Sequence, residues 1–208
     1  NNPTGNFVNR KNFKELLNDV NFSSTNFFID EAFIDFIRNG EDLSFKHFES
    51  NRVIIIRAFT KFFGIPGLRL GYSICYNKKW VSTANNLKEP WTINTFAASC
   101  GEFLLNSNKF IEKTYKTLEK EKNRMLNGLT KIKNIRVFKS ESNFLLIKLM
   151  EISGTELYNK LLEKGFLIRR CENFNFLDDS YVRIAIKDKK SNKNFIKAIN
   201  KITKNRNV

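Results

Sequence analysis

Lys61 and Arg69 stand eight residues apart in the stretch Arg57-Ala58-Phe59-Thr60-Lys61-Phe62-Phe63-Gly64-Ile65-Pro66-Gly67-Leu68-Arg69-Leu70-Gly71-Tyr72. Apolar runs flank the stretch at residues 53–56 and 70–76, and both read as buried strands. A lysine on a loop between two buried strands is seldom there for solubility. The Gly-Pro-Gly context lets the backbone turn sharply and approach a ligand closely. Such a lysine suits Schiff-base chemistry, because a partly buried amine near other cations is more easily neutral and nucleophilic. The planar fork of an arginine suits phosphate oxygens. Asp30 ends a third short apolar run, residues 26–30, and puts a carboxylate at a strand end. Arg183 lies among apolar neighbours in Tyr181-Val182-Arg183-Ile184-Ala185-Ile186. A charge there is costly unless an anionic ligand or an internal acid satisfies it.

The elements that must position these groups follow from periodicity. Phe13, Leu16, Leu17 and Val20 recur at helical spacing, which predicts an amphipathic helix over residues 10–20. Strands at 26–30, 53–58 and 70–76 alternate with helices, which implies a largely parallel sheet with right-handed crossovers. In such sheets ligands sit at the strand ends, where Asp30 and the Lys61 loop lie. Pro90 breaks the pattern. Residues 95–131 read as nearly continuous helix with one interruption at Asn106-Ser107-Asn108. A smaller α+β unit follows, with strands at 135–138, 144–149, 165–168 and 181–186, a helix at 155–164 and a last helix from Ser191. The predicted division is 1–88, the first α/β unit; 89–131, connecting helices; and 132–208, the small α+β unit.

The 208 residues carry 36 Lys and Arg against 21 Asp and Glu, a formal charge of +15. The lysines are spread along helices with acids interleaved, and no DNA- or RNA-binding motif is present, so nucleic acid is not the expected partner. No run reaches the ~20 apolar residues of a membrane helix. Cys75, Cys100 and Cys171 lack metal-ligand spacing and read as reduced thiols of a cytoplasmic protein. His47 is the single histidine and lies in a polar segment, so neither a histidine-based metal site nor a triad is expected.

Three blocks in order give the chain a family likeness: Asn1-Asn2-Pro3-Thr4-Gly5, Ile29-Asp30-Glu31-Ala32-Phe33, and the loop from Lys61 to Arg69. Together they resemble the fold-type I pyridoxal-phosphate (PLP) enzymes of the class I/II aminotransferase group. Glu89-Pro90-Trp91-Thr92-Ile93-Asn94 and the phrase around Arg183 extend the likeness to about Ile186. The resemblance implies part of an α/β PLP-binding large domain, a mostly parallel sheet with helices, followed by a small α+β domain. It makes Lys61 the PLP-linked lysine and Asp30 the partner of the pyridine nitrogen. Asn2 resembles the donor to the phenolic oxygen, and Arg69 the phosphate arginine. Thr60 is a further phosphate candidate, because Ala58 stands where many members have a hydroxyl residue. Phe33 replaces a common tyrosine and cannot bond the phenolic oxygen. Arg183 resembles the arginine that holds a substrate carboxylate. Of Arg169 and Arg170 only one can face inward on an alternating strand, and Arg169 is the candidate for a substrate phosphate. Asn143 is a further substrate-binding candidate. A phosphorylated amino-acid substrate, no metal and a homodimer are implied.

In the family Asn1–Gly5 lies mid-domain, with a phosphate loop and a ring-stacking aromatic upstream. The chain is therefore read as the C-terminal portion of a protein of ~350 residues. Two branches are nearest: threonine-phosphate decarboxylases of cobalamin synthesis and histidinol-phosphate aminotransferases. Phe33, Ile65-Pro66-Gly67, Pro90-Trp91 with Asn94, and Ile168-Arg169 followed by Cys171 and Asn173-Phe174 favour the decarboxylase. A non-catalytic regulatory module of the same fold is the alternative from another class. Retention of Lys61, Asp30 and Arg69 together argues against it.

Overall fold

The computed structural model describes residues 1–204. The described residues divide into two compact units, one of Val8–Ile111 and one of Asn1–Phe7 with the residues from Glu112 onward.

The Val8–Ile111 unit opens with α1 (Arg10–Asn18), capped by the Asn9 side chain, which accepts from the Lys11 amide. Phe13 and Leu17 are its buried residues, whereas Leu16 and Val20 of the expected stripe are exposed. The helix ends at Asn18, so Val20 lies beyond it. β1 (Phe27–Asp30) pairs in parallel with β2 (Val53–Ala58), Asp30 opposite Ile56. Between them lies α2 (Gly40–Leu43), and after β2 the chain turns into the four-residue α3 (Phe59–Phe62). β3 (Gly71–Cys75) returns antiparallel to β2, so this three-stranded sheet is mixed. One sheet face is buried: Val53 and Ile55 of β2 pack with Phe13, Leu17 and Phe45. The alternation of β2 places Arg57 on that same buried side. α4 (Lys78–Leu87) and α5 (Thr95–Leu105) complete the unit.

α6 (Asn108–Leu129) contains the division between the units, and the break before it falls at Asn106 and Ser107, within the interruption the sequence predicts. Beyond it, β4 (Ile135–Val137), β5 (Phe144–Leu149), α7 (Gly154–Leu162), β6 (Arg169–Arg170), β7 (Tyr181–Ala185) and α8 (Lys189–Lys204) form the second unit. Its antiparallel sheet runs β4-β5-β7-β6. Leu145, Ile147 and Val182 meet Met125, Leu157, Leu161 and Ile199 in one apolar core. The expected strand at 165–168 is displaced: Gly165 turns the chain at φ +78°, and pairing begins only at Arg169. Among the described residues no helix is long and apolar enough to cross a membrane.

Candidate active site

In the Val8–Ile111 unit, Asp30 and the lysine loop lie at the same ends of the parallel strands β1 and β2. Asp30 is the last residue of β1, and its carboxylate accepts from the Ala32 amide at 2.8 Å. The ladder continues one rung further, where the Glu31 amide donates to the Ile56 carbonyl at 2.8 Å. Three residues beyond Ala58, Lys61 sits exposed in α3. The flanking residues make it so: Phe59 and Phe62 are buried, and Phe59 packs with Leu70 and Ala97. The apolar neighbours anchor the turn and leave the lysine outside. Thr60, beside it, is largely buried.

Arg69 has left-handed backbone angles, φ 53° and ψ 49°. A non-glycine residue holds that conformation only when its surroundings determine it. Here both neighbours are pinned. The Leu68 carbonyl accepts from the Asn94 side chain at 3.1 Å, and the same Asn94 caps α5 through the Ala97 amide. Leu70 is buried, and its carbonyl accepts from the Phe59 amide at 3.1 Å. The Arg69 side chain remains exposed, and its Nη1 donates to the Pro66 carbonyl at 3.2 Å. Gly64 and Gly67 border open space, so nothing of the protein crowds the backbone of this loop.

In the other unit the N-terminal turn is tied to the small sheet. The Glu141 amide donates to the Gly5 carbonyl at 2.9 Å. Gly5 has φ +75°, and a Cβ there would lie 1.9 Å from the Ser140 hydroxyl. This anchorage brings Asn2, which precedes Pro3 through a cis peptide bond, to Arg183. Arg183 Nη1 donates to Asn2 Oδ1 at 2.5 Å, and its guanidinium lies 4.9 Å from the Phe144 ring centroid. Burial holds the Arg183 pKa below the ordinary arginine value; Cys171 acts against that shift and the Arg169 charge adds to it.

Arg169 stands directly opposite Arg183 in the β6–β7 ladder. Its Nη2 donates to Asn173 Oδ1 at 2.8 Å, and the guanidinium lies 5.8 Å from the Phe174 ring centroid. Arg170 has other partners: Thr155, Glu172 and the Tyr158 ring. Among the described residues no carboxylate pairs with Arg169 or Arg183. Asn143 precedes β5; its carbonyl accepts from the Ile186 amide at 2.8 Å and its side-chain oxygen from the Ser142 hydroxyl at 3.3 Å.

The sequence reading missed a buried ionic cluster beneath Asp30 and the lysine loop. Arg57 and Glu31, 3% and 4% exposed, form an ion pair at 3.0 Å. Glu31 also accepts from the Ser44 hydroxyl at 2.8 Å and the Phe45 amide at 2.7 Å. Arg57 further pairs with Glu41 and lies 3.9 Å from Asp35. The available signal was the spacing Val53, Ile55, Arg57, which puts the arginine on the buried side of β2.

An aldehyde cofactor with a phosphate and a ring nitrogen suits the donor set of the Val8–Ile111 unit: an exposed amine, a strand-end carboxylate and an exposed guanidinium on a loop open to close approach. Within its own unit, Asn2 has its side-chain oxygen occupied by Arg183, so its Nδ2 is left to donate.

Comparison with known proteins agrees with this chemistry. The family profile described as "Aminotransferase class I and II" matches residues 1–199. A protein of Caldanaerobacter subterraneus subsp. tengcongensis that bears a provisional threonine-phosphate decarboxylase name is 36% identical over 206 residues, 96% of this chain and 54% of that protein. The histidinol-phosphate aminotransferase of Methanocaldococcus jannaschii is 31% identical over 202 residues, 97% of this chain and 53% of that one. The solved histidinol-phosphate aminotransferase of Clostridium acetobutylicum superposes with a TM-score of 0.93 at 40% identity, over 99% of this chain and 62% of that one. The chain thus spans about half the length of the curated relatives it matches. It belongs to the aminotransferase class I and II family.

Proposed function

We propose that this chain is part of a PLP-dependent enzyme that converts L-threonine O-3-phosphate to aminopropanol phosphate and carbon dioxide. The observation that carries the reading is the pair Arg169 and Arg183, opposite one another in the ladder with no carboxylate on either. Two guanidiniums whose hydrogen-bond partners are neutral amides suit a substrate with two anions. Threonine phosphate joins a carboxylate and a phosphate in one molecule, whereas the aminotransferase reaction spreads its anions over histidinol phosphate, with the phosphate alone, and a dicarboxylate keto acid. Arg183 takes the carboxylate, Arg169 takes the phosphate, and Asn143 borders the same strands.

In the Val8–Ile111 unit, Lys61 would hold PLP covalently, Asp30 would keep its pyridine nitrogen protonated, and Arg69 with Thr60 would serve its phosphate. Asn2, taken by itself, keeps an Nδ2 donor of the kind a phenolic oxygen accepts. Bound PLP supplies an electron sink for the substrate α-carbon. As the carboxylate leaves as carbon dioxide, Lys61, freed when the substrate amine takes its place and protonated, would deliver a proton to that carbon and regain one from solvent, so the reaction consumes one proton and needs no oxidant. The protein acts as a homodimer, which light scattering of the full-length protein tests.

The 40% identity to the Clostridium acetobutylicum aminotransferase favours a second reading, histidinol-phosphate transamination. One assay separates them. The full-length protein is offered threonine phosphate without a keto acid. Carbon dioxide and aminopropanol phosphate are expected. Turnover that requires 2-oxoglutarate and prefers histidinol phosphate would establish the aminotransferase instead.

A further inference from the structure

We propose that the buried pair Glu31–Arg57 is a positioning device that fixes the β1 end carrying Asp30 against the β2 end leading to Lys61. The inference rests on the PLP reading above. Alternation along the strands separates two layers. Asp30 and Ile56, both exposed, share one face, while Glu31 and Arg57 lie buried on the other. Each buried partner is thus one short step from a cofactor-facing group. Glu31 is covalently next to Asp30. Arg57 is four residues before Lys61, across the first turn of α3.

The clamp has several points of attachment. Both Glu31 oxygens are occupied, one by the Phe45 amide and the other by Ser44 Oγ and Arg57 Nε. Arg57 Nη1 reaches Glu41, which Lys46 also pairs. Burial is the largest influence on Arg57 and lowers its pKa, but Glu41 and then Tyr72 outweigh it, so the group stays cationic. On the third strand Gly71 lies so close that a Cβ would stand 2.7 Å from the Arg57 carbonyl oxygen.

Stability alone is a poor reason for this cluster. A buried ion pair is often no better than an apolar pair of the same volume. This one also leaves Arg57 Nη2 buried without a hydrogen-bond partner, which adds a desolvation cost. What charged groups supply and apolar ones do not is direction. The fork of Arg57 accepts one arrangement of Glu31 and Glu41, and with it one spacing of the strand ends.

The test uses the full-length protein with Glu31→Met and Arg57→Met combined, which replaces the charges by apolar volume. The variant is expected to unfold cooperatively at a urea midpoint equal to or above that of the parent. Its turnover is expected to fall ~100-fold, the scale of a 1 Å misplacement. The pH midpoint of the visible band of the Lys61-bound cofactor is expected to move by about half a unit or more. A folded variant with the parent's pH midpoint and turnover overturns the proposal. Should the double variant not fold, Arg57→Lys keeps the charge without the fork and is expected to move the pH midpoint in the same assay. An unchanged midpoint, or collapse of both variants, assigns the pair to folding alone and overturns the proposal. Borohydride reduction and peptide mapping of the parent provide the control. Labelling of a lysine other than Lys61 refutes the PLP assignment itself, independently of the clamp.

Discussion

Arg183 Nη1 donates to Asn2 Oδ1 across 181 positions of sequence. The contact joins a group proposed to hold substrate to one proposed to hold cofactor, and it fixes which way the Asn2 amide faces. With its oxygen occupied, Asn2 presents Nδ2 as a donor. Arg183→Ala therefore removes a carboxylate partner and releases Asn2. A charge-assisted bond of this kind is worth about 1.5–3 kcal/mol, so kcat/KM for threonine phosphate is expected to fall ~10- to 150-fold. Steady-state kinetics of the full-length protein measures it. Arg183→Lys, which keeps the charge but not the fork, should fall between the two, and equality with the parent would exclude a geometric role.

Arg169→Ala should cut turnover of a phosphorylated amino acid by ~10- to 150-fold, since a hydrogen bond to a charged group is worth about 1.5–3 kcal/mol. PLP absorbance should hardly change. Arg170→Ala is the control. Its guanidinium is already held by Thr155 and Glu172, so it should leave phosphate recognition intact. If the two variants respond alike, the assignment to Arg169 is wrong.

The sequence made the large elements legible because they satisfy one period at a time. The break between α5 and α6 is marked by Asn106-Ser107-Asn108, polar residues that compete with the helical backbone. β5 reads directly from the apolar residues Phe144 to Ile147 with Leu149, interrupted only by Lys148. Four-residue α3 shows no periodicity, so the placement of Lys61 within a helical turn was not legible. β6 was misplaced because Gly165, Phe166, Leu167 and Ile168 look like a strand, although pairing waits for Arg169. Asp30, Lys61, Arg69 and Asn2 stood out through motif spacing. The Asn2–Arg183 contact could not, since nothing local in sequence couples positions so far apart. Glu31 was hidden beside Asp30, whose role drew the reading of the same motif.

Glu121 gives the second unit a defined acid response. Its buried carboxylate accepts from Asn192 Nδ2 at 3.1 Å and from Arg124 Nε at 3.0 Å, which ties α6 to the start of α8. Burial, the largest influence, raises its pKa, but Asn192 and Arg124 outweigh burial and the net shift is downward. A depressed carboxylate stabilises the fold above its unfolded pKa of about 4.3 and loses that stabilisation as pH falls through the lower folded value. Glu121→Gln should cost about 1–3 kcal/mol at pH 7. The difference from the parent should shrink as pH drops below about 4. Urea unfolding at pH 7 and pH 3 tests this, and a constant difference at both would show that the charge of Glu121 is irrelevant.

Gly71 and Gly67 flank Arg69 and Leu70 in the same loop, yet substitution should affect them oppositely. A Cβ on Gly71 would stand 2.7 Å from the Arg57 carbonyl oxygen and 3.6 Å from Ala58 Cα. Both are backbone atoms of β2, held in the ladder where Ala58 opposes Gly71. They cannot swing aside as a side chain would, so Gly71→Ala must push β3 away from β2. Overpacking of this kind costs typically about 1–3 kcal/mol. The displacement also reaches Arg69, whose left-handed backbone depends on Leu70 staying buried, so PLP affinity should fall with stability. At Gly67 a Cβ meets nothing within 4 Å. Gly67→Ala should be neutral, or stabilising by about 0.4–1 kcal/mol, through reduced freedom of the unfolded chain. Urea midpoints at constant m value measure both. A destabilised Gly67→Ala alongside a tolerated Gly71→Ala would show that close approach of β3 to Arg57 does not hold this loop in place.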